Sequence, residues 1–485
     1  MSLPEDGRAA PELLEELTRR RAEDLVTGPG ALAYAYDPGL ETLPALTREV
    51  YSSMLGVNGL DPTAFPSIIG LENDVVATVA DLLGGGPDHA GTFTSGGTES
   101  IMLAVKAARD SRPDVERPKV VKPSTGHPAF DKAGHYLGVE VVSVPVDPRT
   151  FRADPAAMAA ELDDRTVLAV ASAVSYPHGV LDPVGEIAAA AAERTVLCHV
   201  DSCVGGFLLP FQVRLGEAIE PFDLSVPGVT SISADLHKYG YAPKGASVVV
   251  FRDSELRRAA YFASADWPGY TVINASVQST KSGGPVAAAW ATLQHLGLSG
   301  YDEVVRRSVE ATRRLRAGIE ETEGVRVLGD PITAMLAVAG DGVDILQVAD
   351  ELRELDAFVQ VQLSHGESPV NLHLSTYGAS YEVGEEILAT FRRAVEAARA
   401  ADPVEVPADL SEQLAGLDRT SLTPEVFEGL VAAVGVDLSG GSLGRMATVN
   451  TLLDAAPIPL RELLLERFLG VLFTPRRGAT SESSG

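Results

Sequence analysis

Between about residue 56 and residue 300 the chain alternates short apolar runs with helical stretches. This alternation limits the possible folds more than any other feature. Runs at 139–146, 166–174, 195–200 and 247–251 have the length and β-branched content of buried strands. Helical stretches such as 100–110 and 184–193 lie between or before them. A helix between successive strands is the pattern of an α/β domain with a mostly parallel sheet. Sites in such sheets gather at the carboxyl ends of the strands. Polar residues that follow the apolar runs are therefore the candidates for function.

Outside this region the pattern changes. Residues 1–55 read as an N-terminal helical arm with a break at Gly28-Pro29-Gly30. After the large domain, 56–300, an amphipathic helix over 301–323 leads to strands near 325–328 and 334–338. A further helix covers 383–400, which makes 301–402 a small α+β domain. A linker at 403–407 opens a helical extension, 403–485, with a strongly apolar stretch at 460–472. Its end, 476–485, is expected to be disordered.

The net charge of −28 excludes nonspecific binding to nucleic acid or to an anionic membrane. Any phosphate site must then be built locally. The two cysteines, Cys198 and Cys203, suggest neither a disulfide framework nor a zinc site. Residues 1–20 lack the pattern of a signal peptide, and no apolar run reaches the roughly 18 residues a membrane helix needs. The expectation is a cytoplasmic protein without metal or integral membrane association.

Four segments carry chemistry. The first is Ser231-Ile-Ser-Ala-Asp-Leu-His-Lys-Tyr-Gly-Tyr-Ala-Pro-Lys-Gly245. A lysine must lose its proton to form a Schiff base, and burial beside a cofactor favours that loss. Lys238 is the candidate and Lys244 its rival; His237 is placed to touch a cofactor phosphate or shuttle protons. A solvated surface loop would look the same. The second is Asp201, which follows an apolar run. A carboxylate there can keep a pyridine nitrogen protonated so that the ring acts as an electron sink; a helix cap is the commoner fate of such a residue. The third, Thr94-Ser-Gly-Gly-Thr-Glu-Ser100, is a glycine-rich turn opening a helix, which suits phosphate or is an ordinary helix start. The fourth is His127, a candidate to stack on a cofactor ring or a plain polar residue. Their order is the one a pyridoxal-phosphate (PLP) enzyme of aspartate-aminotransferase-like fold (fold type I) requires.

The run TSGGTESIMLAVKAARD (94–110) resembles the phosphate loop of sphingosine-1-phosphate lyases, a branch of the PLP-dependent decarboxylase superfamily. HPAFDKAGHYLGVEVV (127–142), YPHGVLDPVGEI (176–187), HVDSCVGGFLLPF (199–211) and GVTSISADLHKYGYAPKGASVVVFR (228–252) are similar to theirs as well. A weaker echo lies at Gly444-Arg-Met-Ala447. The resemblance implies that Lys238 carries PLP as a Schiff base, Asp201 pairs with the pyridine nitrogen and His127 stacks on the ring. It implies that Gly97, Thr98 and His237 hold the cofactor phosphate and that Tyr176 borders the substrate, with Lys238 or Tyr176 as acid or base. It also implies a homodimer in which the loop 279–284, with Gly283 and Gly284, offers backbone N–H groups to the partner's cofactor phosphate.

The chain departs from that family at three places. Asp61 stands where the family writes a histidine near the substrate entrance. Lys281 replaces an arginine, keeping the charge but losing the bidentate fork. Residues 404–437 look like an insertion. Asp61 and Lys281 are the substrate-side candidates, Lys281 being the best local cation for a substrate phosphate. The implied activity is a carbon–carbon lyase cleaving a phosphorylated 2-amino-3-hydroxy small molecule to an aldehyde and an amine phosphate. An amino-acid decarboxylase is the alternative, because both reactions leave a carbanion at the same carbon. A degenerate, non-enzymatic PLP-binding paralogue is a third reading, opposed by the full set of cofactor residues.

Overall fold

The computed structural model describes residues 3–475 except 23, 26, 27, 29, 62, 403, 405–416, 418, 419 and 434–444. The tail 476–485, most of the linker 403–407 and most of 404–437 therefore lie outside the described residues.

The alternating region forms a seven-stranded sheet in the order β1-β7-β6-β5-β4-β2-β3. The strands are β1 (Ala90–Thr94), β2 (Lys119–Pro123), β3 (Glu140–Val144), β4 (Thr166–Ser172), β5 (Leu197–Asp201), β6 (Ser231–Ala234) and β7 (Ser247–Phe251). Only β7 runs antiparallel to its neighbours. Strands β4, β6 and β7 are buried along their whole length, which explains their unbroken apolar or small-residue runs. Two strands escape that pattern. β2 carries Lys119 and Lys122 into the interior, where their ammonium groups meet Asp163 at 2.9 Å and Asp131 at 3.3 Å. β1 is short and opens with two small residues, Ala90 and Gly91.

The arm is more than helix. α1 (Ala10–Arg20) buries no residue, whereas α2 (Thr42–Ser53) packs on the long helix Gly283–Glu320. Residues 31–36, between them, enter the small domain. Leu32 donates to the Phe358 carbonyl at 2.9 Å and accepts from Ser375 at 2.6 Å. This leads Tyr36 in beside Tyr239 and Tyr377.

The long helix begins at Gly283 rather than near 301 and links the two domains. It is two helices joined at Gly297, whose φ of 56° is a left-handed backbone angle that suits glycine. The small domain is a four-stranded antiparallel sheet covered by the helices Ile345–Glu354 and Gly384–Ala400. Leu315, Leu336, Val348, Leu372 and Phe391 form its core, each buried side chain contributing about 1.5–3 kcal/mol. Helices Pro424–Ala433, Ala447–Ala455 and Ile458–Leu472 make up the described part of the extension. No helix among the described residues is long and apolar enough to cross a membrane.

Candidate active site

The carboxyl ends of β1, β5 and β6 open into a cavity of about 350 Å³, within the range of small-ligand sites. Among its lining residues are Gly97, Thr98, His127, Tyr176, Asp201, His237 and Lys238. The structure thus brings together the candidates from all four segments.

β1 delivers the glycine-rich turn. The helix Gly97–Asp110 starts at the cavity, and its N-cap, Gly96, has no side chain to satisfy the first N–H groups. Those groups and the helix dipole are left for an anion. The turn also needs its glycines. A Cβ on Gly97 would lie 2.6 Å from Cys203 Sγ and 3.0 Å from Asp235 Oδ2, and one on Gly96 would lie 3.3 Å from the His237 ring. Glu99 fixes the turn: its Oε2 accepts from Ser95 N–H at 2.6 Å and Ser95 Oγ at 2.7 Å, while Oε1 accepts from Val277 N–H at 2.7 Å.

β5 delivers Asp201. Its Oδ1 accepts from Cys203 N–H at 3.1 Å and, at the limit of hydrogen bonding, from Ser233 Oγ at 3.5 Å. Ser233 Oγ also lies 3.2 Å from Nε2 of the fully buried His199, so one hydroxyl links the imidazole and the carboxylate. Burial pushes His199 down to about 4, which keeps this neighbour uncharged at neutral pH. Asp201 is therefore a held carboxylate at the cavity, not a helix cap.

The turn after β2 delivers His127. Its Nδ1 accepts the Ala129 N–H at 3.1 Å at the start of the helix Ala129–Leu137, which leaves the proton of the neutral ring on Nε2. Lys122 steadies that turn by donating to the Gly126 carbonyl at 3.2 Å. Burial lowers the pKa of His127, which favours the neutral ring.

The turn after β6 delivers His237 and Lys238. His237 donates its N–H to the Ala246 carbonyl at 3.0 Å, and its Nδ1 accepts the Ala246 N–H at 3.2 Å. Lys238 Nζ lies 3.0 Å from Oδ2 of Asp235, a carboxylate only 2% exposed. Burial alone would lower the lysine pKa, as the sequence suggests, but the charges around it, Asp235 first and Asp201 among them, outweigh it and the net shift is upward. Lys244, the rival lysine, does not line the cavity. Its Nζ sits 4.7 Å from the centre of the Tyr36 ring.

Tyr176 forms one wall. Its ring stacks on His373 at 4.3 Å, and its hydroxyl donates to Gln360 Oε1 at 2.6 Å. Burial raises its pKa, so it stays a protonated donor.

The remaining candidates do not line this cavity. Lys281, expected to meet a substrate phosphate, instead has its ammonium 2.5 Å from Glu72 Oε1. Asp61 accepts from Thr63 N–H at 2.8 Å and Thr63 Oγ1 at 2.6 Å, an exposed turn that holds its carboxyl below the usual range. Gly283 was expected to offer its N–H to a phosphate, but that group donates to the Val57 carbonyl at 2.8 Å. The two glycines serve close packing: a Cβ on Gly283 would meet Val57 at 2.9 Å, and one on Gly284 the Tyr51 ring at 2.8 Å. The loops of Asp61 and Lys281 do lie side by side, since Gly59 N–H donates to the Lys281 carbonyl at 2.8 Å.

Sequence reasoning missed Asp235, Glu99 and Tyr36. Asp235 was legible in principle: it stands three positions before Lys238 in a turn, where side chains meet. Glu99 and Tyr36 act through contacts with distant segments, which no local signal reveals.

PLP fits these residues. The cavity offers an uncapped helix N-terminus for a phosphate, a lysine for its aldehyde, a buried carboxylate for its ring nitrogen and a neutral imidazole for its ring face. A description of the pyridoxal-dependent decarboxylase conserved domain matches residues 1–337, and one of a pyridoxal-dependent enzyme C-terminal putative HTH domain matches 408–471. The second match takes in residues 408–437 of the stretch 404–437. The chain is 38% identical over 352 residues to sphingosine-1-phosphate lyase 1 of Rattus norvegicus, covering 72% of this chain and 62% of that protein. It is 43% identical over 299 residues to the sphingosine-1-phosphate lyase of Dictyostelium discoideum, covering 61% of this chain and 57% of that protein. It spans about three fifths of the length of these two curated relatives. Among solved structures, the Burkholderia pseudomallei sphingosine-1-phosphate lyase superposes with a TM-score of 0.78 at 35% identity, over 82% of this chain and 93% of that one. The chain belongs to the pyridoxal-dependent decarboxylase family, and its cofactor is pyridoxal 5'-phosphate.

Proposed function

We propose that the chain is a PLP-dependent carbon–carbon lyase acting on a phosphorylated 2-amino-3-hydroxy compound of the sphingoid-base kind. The observation that carries this reading is the 35–43% identity to sphingosine-1-phosphate lyases over 61–82% of the chain. In the reaction the 3-hydroxyl loses its proton, the C2–C3 bond breaks, C3 leaves as an aldehyde and C2 takes up a proton to give an amine phosphate. Bound PLP supplies the sink for the electron pair left at C2.

The residues take the following roles. Lys238 carries the cofactor and, once displaced by the substrate amine, is a protonated amine suited to return a proton at C2. Asp201 holds a proton at the ring nitrogen. His127 covers the ring, and Gly97, Thr98 and His237 hold the cofactor phosphate. Tyr176 borders the substrate, with its protonated hydroxyl held by Gln360. Lys281 and Asp61 shape the substrate side, and the loop 279–284 reaches towards the partner's cofactor phosphate.

Lys281, Asp61 and this loop act across a homodimer in this reading. Support comes from their place outside the cavity of their own chain and from the exposed Leu55, Leu60, Tyr270, Ile273 and Val277 in neighbouring segments. The domains divide as the arm 1–55, the large domain 56–300, the small domain 301–402 and the extension 403–485, and the enzyme works in the cytoplasm.

The test is a steady-state assay of aldehyde formation from a phosphorylated sphingoid base, run beside carbon dioxide release from a panel of free amino acids. Aldehyde from the first is expected. Carbon dioxide from an amino acid with no aldehyde from any phosphorylated amino alcohol overturns the lyase reading. Sedimentation of the PLP-loaded protein as an active monomer overturns the dimer.

A further inference from the structure

The buried carboxylate of Asp235 has no part in the roles given so far, yet it is the acidic group in direct contact with the reactive lysine. It stands directly after β6, and Lys238 follows one turn later, with Lys238 N–H donating to the Asp235 carbonyl at 3.3 Å. That turn folds the lysine side chain back over the carboxylate, placing Nζ 3.0 Å from Oδ2. The same oxygen lies 3.7 Å from His237 Nε2. Because Ala246 N–H occupies Nδ1 of His237, the neutral ring carries its proton on Nε2, the atom that faces Asp235. One carboxylate oxygen therefore faces both polar side chains of the turn.

We propose that Asp235 is a positioning residue that parks the free side chain of Lys238 as an ammonium at the cavity floor and sets the orientation of His237 beside it. The proposal rests on the reading of Lys238 as the cofactor lysine, and it explains how that lysine stays in place when a substrate amine has displaced it.

The other groups around Lys238 do not replace Asp235. Asp201, from the end of β5, directs Oδ1 to Cys203 N–H. Cys203, in the turn after β5, is held neutral by burial. Tyr36 from the N-terminal segment and Tyr176 from the β4 side are raised by burial and stay neutral. His127 from the β2 turn and His373 from the small-domain sheet are lowered by burial and are neutral too. Lys244 adds a repelling charge from the same loop, held off by its contact with Tyr36. The two partners agree in direction: burial would lower the Lys238 pKa and raise that of Asp235, and in each case the surrounding groups, the partner's charge first, reverse the effect.

The experiment uses the full-length protein, freed of PLP by dialysis and shown to reload. Lys238 is acetylated with a neutral reagent from pH 6 to pH 11, and the modification rate is read by peptide mass spectrometry with Lys244 as internal reference. In the wild type the Lys238 profile is expected to rise above the pH of an ordinary lysine. In Asp235→Asn, which keeps size and shape, its midpoint is expected to fall by one unit or more, a tenfold or greater rate increase at pH 8. Superposable profiles overturn the proposal. If the variant does not fold, the wild-type profile decides alone: a Lys238 midpoint at or below that of Lys244 overturns it. Borohydride trapping of PLP on the wild type tests the cofactor lysine separately, so failure of that reading and failure of this one give different results.

Discussion

Glu72 Oε1 receives both the ammonium of Lys281 at 2.5 Å and the backbone N–H of Phe93 at 3.0 Å. Neither side chain of the ion pair is more than one fifth exposed. The cation with the best claim to a substrate phosphate is thus held by a carboxylate that also anchors β1, the strand leading to the phosphate turn. A phosphate that takes Lys281 must compete with Glu72.

This competition gives the first prediction. Lys281→Ala should raise KM for a phosphorylated amino alcohol by about 10- to 150-fold, the equivalent of about 1.5–3 kcal/mol for a hydrogen bond to a charged group. Bound PLP should be retained. Glu72→Gln keeps an acceptor for Phe93 but removes the competing charge, so it should lower KM. If Lys281 serves only the ion pair, both variants will lower Tm and leave KM unchanged.

The second prediction concerns the two lysines of one loop. Lys238 lines the cavity, and Lys244 does not. Borohydride reduction of the yellow, PLP-loaded protein should leave a pyridoxyl group on Lys238. A label on Lys244, or none, contradicts the assignment.

Most of the cavity was legible because its residues sit in short segments that follow apolar runs. Asp201 ends β5, His127 follows β2, and Lys238 follows β6, so the rule that α/β sites gather at strand ends finds them. The sheet was less legible at β2, because Lys119 and Lys122 break its apolar pattern and only their tertiary partners explain their burial. Gly283 and Gly284 show a different limit. A glycine pair announces that something comes close, but sequence does not say what. Here it is Val57 and the Tyr51 ring of the same chain. The segment around Leu32 and Tyr36 is the remaining case: its course depends on edges offered by the small domain, more than three hundred residues away along the chain.

Glu99 leads to the third prediction. Its carboxylate joins the phosphate turn to the segment around Val277 through three hydrogen bonds. Glu99→Ala should loosen that turn and weaken PLP binding by about 10- to 100-fold, in line with the loss of charge-assisted bonds. Titration of the PLP-free protein by absorbance would measure it. A variant with lower Tm but unchanged PLP affinity would show that Glu99 supports the fold and not the turn.

The last prediction follows from buried neutral histidines. Burial pushes His178 and His199 down to about 4, and His373 lower still, to about 3. Each is at most 2% exposed. Unfolded histidines titrate near 6.5. The folded state therefore binds fewer protons, so the stability these groups contribute is present above pH 6.5 and lost as pH falls through 4. Each histidine can contribute a slope of up to about 1.4 kcal/mol per pH unit in that window. Asp182 acts in the opposite sense. Burial pushes its carboxyl up to about 6 despite hydrogen bonds from Ala153 and Ser172, so it favours the folded state as pH falls from 6 towards 3.8. One aspartate offsets one histidine, and three histidines leave a net loss. Urea unfolding at pH 7, 6 and 5 should show stability falling on acidification. His199→Asn should flatten the decline between pH 6 and pH 5 by up to about 1.4 kcal/mol per unit. His199 lies between Ser231 Oγ at 2.9 Å and Ser233 Oγ at 3.2 Å, where asparagine retains polar partners. An unchanged slope would mean that His199 takes up its proton inside the folded protein, and the uncharged neighbour assigned to Asp201 would have to be abandoned.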